Sequence, residues 1–177
     1  MRNTIMTEKI VRRGVRVPGE YAADFLDQVT AGLCSTKPVV TLNGDDLLES
    51  VRTWIAGGGP ETGHQGFPVV DGNGDLLGVV TRRDLLDPKA TDSKPVRDLI
   101  RRPLAVVFED TSLREAADHM LQEGVGRLPV VSRNEPRKPI GIITRSDLLS
   151  AHRRRLEETH VAEQSLSWRS LRRRSAG

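Results

Sequence analysis

The chain has 177 residues, of which 37% are hydrophobic and 29% charged, enough for one compact core or two small packed modules and typical of a globular protein. Aromatics make up only 3%, so aliphatic sheets covered by helices are expected, and a base-stacking platform for nucleic acid is disfavoured. The net charge of +3 is uneven: Ser150 to Gly177 carries seven Arg against three Glu, a local +4, and residues 1–149 sum to −1.

The single cysteine, Cys34, can close no intramolecular disulfide and build no thiolate cluster, which reads as a cytosolic chain with a packing role for that residue. The first stretch, "MRNTIMTEKIVRR", lacks the apolar centre of a signal peptide, and no apolar run approaches bilayer length, so a soluble polypeptide is expected.

In chain order, residues 1–35 read as a leader with a helix and a loop around "RRGVRVPGEY". Residues 36–92 form a first module: a strand at Val39 to Leu42, an amphipathic helix at Asp46 to Ala56, and two strands, "FPVV" and "LLGVV". The strands are joined by "DGNGD", whose Asp-Gly and Asn-Gly steps supply the positive φ of a tight turn. Apolar Leu48, Val51 and Ile55 recur at three- and four-residue steps and give that helix one buried face.

Residues 93–150 repeat the order, with a strand at Ala105 to Phe108, a helix at Ser112 to Glu123, and strands "LPVV" and "IGII" joined by "SRNEPRKP". The polar connector "DPKATDSKPVRDLI" holds a helical turn at Val96 to Ile100. Residues 151–177 read as a continuation of the last helix and a basic tail. One β-α-β-β-α unit is too small to cover both faces of its sheet, so the expectation is an α/β protein of tandem modules packed as a pseudo-two-fold pair.

Each module ends in nearly the same nine residues, "GVVTRRDLL" from Gly78 and "GIITRSDLL" from Gly141. A strand ends at Thr81 or Thr144, and Asp84 or Asp147 comes three residues later in the first turn of a helix. A carboxylate beside a hydroxyl matches the cis-diol of a ribose, and a helix N-terminus favours a nearby phosphate. The plainer reading is a capping box, Thr answering one backbone amide and Asp another, and the two roles are compatible. Duplication favours a ligand cleft between the modules.

These motifs resemble the paired cystathionine-β-synthase (CBS) domain, or Bateman module, over Thr36 to Ser150, through both Gly-h-h-Thr-x-x-Asp stretches and both h-Pro-Val-Val strands, where h is apolar. The resemblance implies adenine nucleotides, ATP, ADP or AMP, bound between the copies with no further cofactor required, and a homodimer. Thr144 and Asp147 would hold one ribose, and Thr81 and Asp84 the other. The leader "TIMTEKIVRRGVRVPGEY" is similar to the segment joining the last membrane helix of CLC-type chloride channels and exchangers to their cytosolic CBS pair. That implies a regulatory cytoplasmic domain whose partner is a membrane-embedded channel domain of the same polypeptide.

By the same resemblance His64, Gln65 and Gly66 would face Thr144 and Asp147, with Val40 closing the adenine side through its backbone. At the other site the matching Val125 and Gly126 offer no polar side chain, so Thr144 and Asp147 rank first. His64 gives less stacking area than a larger aromatic and also reads as an exposed loop residue. Arg145 and Arg82 directly follow the motif Thr, and Arg83 and Arg127 lie close by; as a group they suit phosphate oxygens.

No nucleophile elbow, Walker loop or metal-spaced His pair is present, and the chain reads as a non-enzyme. A stand-alone or enzyme-attached CBS regulator remains the alternative. Nucleic-acid binding through "HRRR" and "LRRRS", aided by Trp168, is the rival from another class; the −1 body and missing recognition motif favour a solvated basic tail.

Overall fold

The computed structural model describes residues 25–154 and Glu157. The expectations for the leader before residue 25 and for the basic tail lie outside them. Among the described residues no helix is long and apolar enough to cross a membrane.

Two short helices, α1 (Phe25–Gln28) and α2 (Ala31–Cys34), come first. The first module is then built as β1 (Leu42–Asn43), α3 (Leu48–Gly57), β2 (Gly66–Val70), β3 (Leu76–Thr81) and α4 (Arg82–Leu85). A 3-10 turn at Val96–Leu99 leads to β4 (Val107–Phe108), α5 (Leu113–Gln122), β5 (Arg127–Val131), β6 (Pro139–Thr144) and a final helix α6 over 145–154. Each module carries one three-stranded sheet, β1-β2-β3 and β4-β5-β6, in which the first pairing is parallel and the hairpin antiparallel. This is the expected α/β pair of like modules.

The two modules have separate cores. Leu48, Val51 and Ile55 of α3 pack on Phe67, Val69 and Val80, and Leu113, Ala116 and Met120 of α5 pack on Leu128, Val130 and Ile143. The apolar helical periodicity thus points inward in both copies, as its spacing requires. In the first hairpin Asp71 accepts from the amides of Asn73 and Asp75, both at 2.9 Å, while Gly74 takes φ +81°.

The helices start differently. Ser112 and Glu115 form a complete capping box on α5, with the Ser112 hydroxyl accepting from the Glu115 amide at 3.2 Å. Helix α3 starts at Leu48 rather than the expected Asp46, because its first amides are met by carbonyls of the connector: Leu48 donates to Lys94 (2.9 Å) and Glu49 to Asp92 (3.1 Å).

The segments in front of the modules are exchanged. Val29 to Gly32 precede the first module yet dock on the second: Leu113 donates to Val29 (2.8 Å), Ala31 to Thr111 (2.8 Å) and Gly32 to Glu109 (2.9 Å), and Ala31 is fully buried in the second core. Lys94 to Arg97 make the matching bonds on the first module, with Val96 donating to Asp46 (2.9 Å) and Arg97 to Gly44 (3.0 Å), and Val96 and Leu99 complete the first core. Thr36 then pairs with Ile142 of β6. Cys34 packs against the second core, and burial pushes its thiol up.

Candidate functional site

Both copies of the repeated motif end a strand and begin a helix, α4 or α6, and both are built as caps. Asp84 Oδ2 accepts from the Thr81 amide (3.0 Å) and hydroxyl (2.5 Å), while the Asp84 amide donates to Thr81 Oγ1 at 3.2 Å. Asp147 and Thr144 repeat this at 2.8, 2.7 and 3.4 Å. One carboxylate oxygen is spent on the helix, which leaves Oδ1 of Asp84 facing Arg101 Nη1 at 3.9 Å. The capping and ligand-holding readings are therefore geometrically compatible: the cap fixes the carboxylate and frees half of it.

A cleft of about 460 Å³ opens between the modules at Thr81 and Asp84. This is within the size range of small-ligand sites. The second module lines it with Gly124 to Gly126, and the apolar residues of its lining include Val79, Leu99, Leu104 and Val125. Five arginines, 83, 101, 102, 127 and 145, reach it against the single carboxylate of Asp84. Such a surface is complementary to a compact polyanion with an apolar end.

Most of these guanidinium groups are held by backbone oxygens. Arg145 donates to the Val125 carbonyl at 3.1 Å, Arg102 donates to that of Gly124, and Arg127 crosses between the modules to that of Gln65. The Arg127 guanidinium occupies the space where Gly66 would carry a Cβ, so the glycine at the head of β2 admits the arginine at the head of β5. Burial lowers the Arg127 guanidinium from its ordinary value, and Asp84 opposes that shift.

Of the residues singled out from sequence, Thr81, Asp84, Arg83, Arg127 and Arg145 line the cleft. Arg82 turns away to the Thr62 carbonyl. Thr144 and Asp147 form the second cap, and Val40 packs on the first core. His64 sets its ring edge-on to Phe67, with centroids 6.2 Å apart. Gln65 gives its carbonyl to Arg127 and to the Arg82 amide (3.1 Å).

The cleft thus opens at the pair that ranks second from sequence. That ranking rests on the missing side chains at Val125 and Gly126, and the polar groups arrive instead from the connector and from α6. Sequence reasoning does not find Arg101 and Arg102; the signal available is the basic pair closing the connector, directly before Pro103.

The family model described as the CBS domain matches twice, over residues 31–89 and 96–154. The chain belongs to the CBS domain family. The two matched stretches begin at the two exchanged turns, Ala31 and Val96. Among curated relatives, inosine-5'-monophosphate dehydrogenase of Methanocaldococcus jannaschii is 34% identical over 117 residues, which span 64% of this chain and 21% of that protein. The chain spans less than half the length of the curated relatives it matches first.

Solved structures share its fold, two of them with a bound nucleotide. CBSX2 of Arabidopsis thaliana, in complex with AMP, is 30% identical with a TM-score of 0.58 over 71% of this chain and 96% of that one. The cytosolic domain of the Mg2+ channel MgtE, in complex with ATP, is 28% identical with a TM-score of 0.59 over 68% and 48%.

Proposed function

We propose that this CBS pair is a regulatory, non-catalytic module that binds an adenine nucleotide in the cleft at Thr81 and Asp84. The observation carrying this reading is a carboxylate locked through Oδ2 by its own helix cap, its Oδ1 3.9 Å from Arg101, in a cleft with aliphatic walls and five arginines. The adenine would lie on Leu99, Leu104 and Val125, the ribose hydroxyls would donate to Asp84, and the phosphates would meet the guanidinium groups. The AMP and ATP held by the two similar structures support this chemistry. Binding across the cleft would favour one inter-module geometry over others, which is how a nucleotide signal reaches an attached domain or a second copy in a homodimer.

Calorimetric titration of ATP, ADP and AMP tests the reading. Asp84→Ala is expected to weaken binding at least about tenfold, the scale of one charge-assisted contact, with Asp147→Ala near wild type. Loss confined to Asp147→Ala would move the ligand to Thr144 and Asp147; equal affinities in both variants would remove the motif from the site. Asp84→Asn separates the cap, which an amide oxygen can still serve, from the charge.

For the attached partner, we propose a membrane-embedded chloride channel or exchanger, on the strength of the leader "TIMTEKIVRRGVRVPGEY" alone. Genomic sequence upstream of Met1 should then encode ten or more apolar helices, by the leader's resemblance. Soluble-enzyme or non-coding sequence there would discard the channel in favour of an enzyme-attached or stand-alone regulator, a context which the match to a dehydrogenase supports.

A further inference from the structure

We propose that Arg101 and Arg102, at the end of the connector, make this cleft selective for nucleotides that carry two or more phosphates. The inference rests on the nucleotide reading above and deepens it.

Charge is the first reason. A monophosphate brings at most about two negative charges at neutral pH, enough to answer two of the guanidinium groups that reach the cleft. The remainder would be answered only by Asp84, whose second oxygen the ribose would take, and by Asp87, which reaches Arg101 alone at 3.4 Å. A di- or triphosphate chain supplies the missing charge within a few ångströms.

Placement is the second. Arg101 and Arg102 are neighbours in the chain, yet their side chains end on opposite walls. Arg101 lies by Asp84 (3.9 Å) and Asp87 (3.4 Å) of the first module, and Arg102 donates to the Gly124 carbonyl of the second. A phosphate chain running out from a ribose at Asp84 would pass between them. The present partners of Arg101 are loose, and its side chain is 64% exposed, so redirecting it to a phosphate gives up little. Pro103, immediately after, restricts the backbone of Arg102 to extended conformations and so limits the ordering cost.

Arg127 and Arg145 are placed differently. Arg127 spans the modules to Gln65, and Arg145 is held on Val125, so both are committed to the walls themselves. The connector pair differs in joining one exposed guanidinium, that of Arg101 beside the carboxylates of the first module, to one held on the opposite wall, that of Arg102.

The experiment is titration of adenosine, AMP, ADP and ATP without divalent cation into the wild-type chain, into the doubly substituted R101Q/R102Q, and into R137Q as a charge control. Arg137 lies outside the cleft, paired with Asp75 and 76% exposed. Wild type and R137Q are expected to bind about tenfold more tightly for each phosphate beyond the first. In R101Q/R102Q that rise, measured relative to AMP in the same variant, should collapse to less than about threefold in total. Urea midpoints matching wild type would show that both variants fold.

AMP binding as tightly as ATP, with both lost in Asp84→Ala, would overturn the selectivity and leave the nucleotide site standing. A full phosphate-dependent rise in R101Q/R102Q would overturn the assignment to the connector. Failure of every nucleotide to bind the wild-type chain would overturn this inference together with the site reading.

Discussion

The glycines that open the two motifs, Gly78 and Gly141, owe their identity to the residues that cross above them. A Cβ on Gly78 would stand 2.6 Å from Ile100 Cγ2 and 3.0 Å from its Cδ1, and one on Gly141 would stand 2.6 Å from Ser35 Oγ and 3.0 Å from Ser35 Cβ. Ile100 and Ser35 come directly after the two exchanged turns, so the same crossing occurs in each half. Gly78→Ala is expected to cost about 1–3 kcal/mol by overpacking, read as a lower urea midpoint at unchanged slope. Ile100→Ala in the same chain should recover part of that loss, so that the double variant is less destabilised than the two singles summed. Strict additivity would show that Ile100 is not the residue the glycine accommodates. The glycine, the threonine and the aspartate of the motif are all legible as a repeated cap. The crossing residue is not, because nothing in "GVVTRRDLL" names its neighbour.

The two motif copies give helices of different length, four residues in α4 (Arg82–Leu85) against ten among the described residues 145–154 of α6, with Glu157 helical beyond them. The residues after each motif decide the difference. Beyond Leu86 the first copy meets Asp87 and Pro88; the proline lacks an amide and its ring clashes with the preceding turn, so the helix ends. The second copy continues through Ser150, Ala151 and His152, and Ala151 is buried in the second core. Helices α3 and α5 are legible to within two residues at either end, because amphipathic periodicity fixes their inner faces before any tertiary contact. The opening strands begin later than their composition predicts: Val39 to Leu42 is observed as Leu42–Asn43, and Ala105 to Phe108 as Val107–Phe108. β-branched composition marks those segments, but only two residues of each find a parallel partner, in Val69 and Val70 or in Val130 and Val131. The arginine cleft is half legible for a related reason. Arg83 and Arg145 sit within the motif copies in sequence and Arg127 opens the strand that pairs with the second, opposite Thr144, whereas Arg101 and Arg102 reach the cleft only through the path of the connector.

At the scale of the whole molecule, each module is completed by the segment that introduces the other. Ala31 belongs to the second core, Val96 and Leu99 to the first, and the carbonyls of Val29 and Lys94 cap α5 and α3 in equivalent fashion. The turns "TAGLC" and "PVRDL" share no sequence likeness, which hides this exchange from the repeat. Its thermodynamic consequence is coupling: neither core can close while the chain in front of the other is displaced, so the two modules should unfold together. Trp54 packs edge-on to Phe67 at 5.6 Å and reports the first core. In a Trp168→Phe background it is the chain's sole tryptophan. Urea unfolding followed by Trp54 fluorescence is expected to coincide in midpoint and slope with unfolding followed by far-ultraviolet circular dichroism, which reports the helices of both modules. A fluorescence transition that precedes or trails the dichroism would mean that the first core opens alone. Coincidence would give ligand binding in the cleft a direct route to both cores, because Leu99 completes the first core and lines the cleft, and Arg101 and Arg102 lie just beyond it on the same connector.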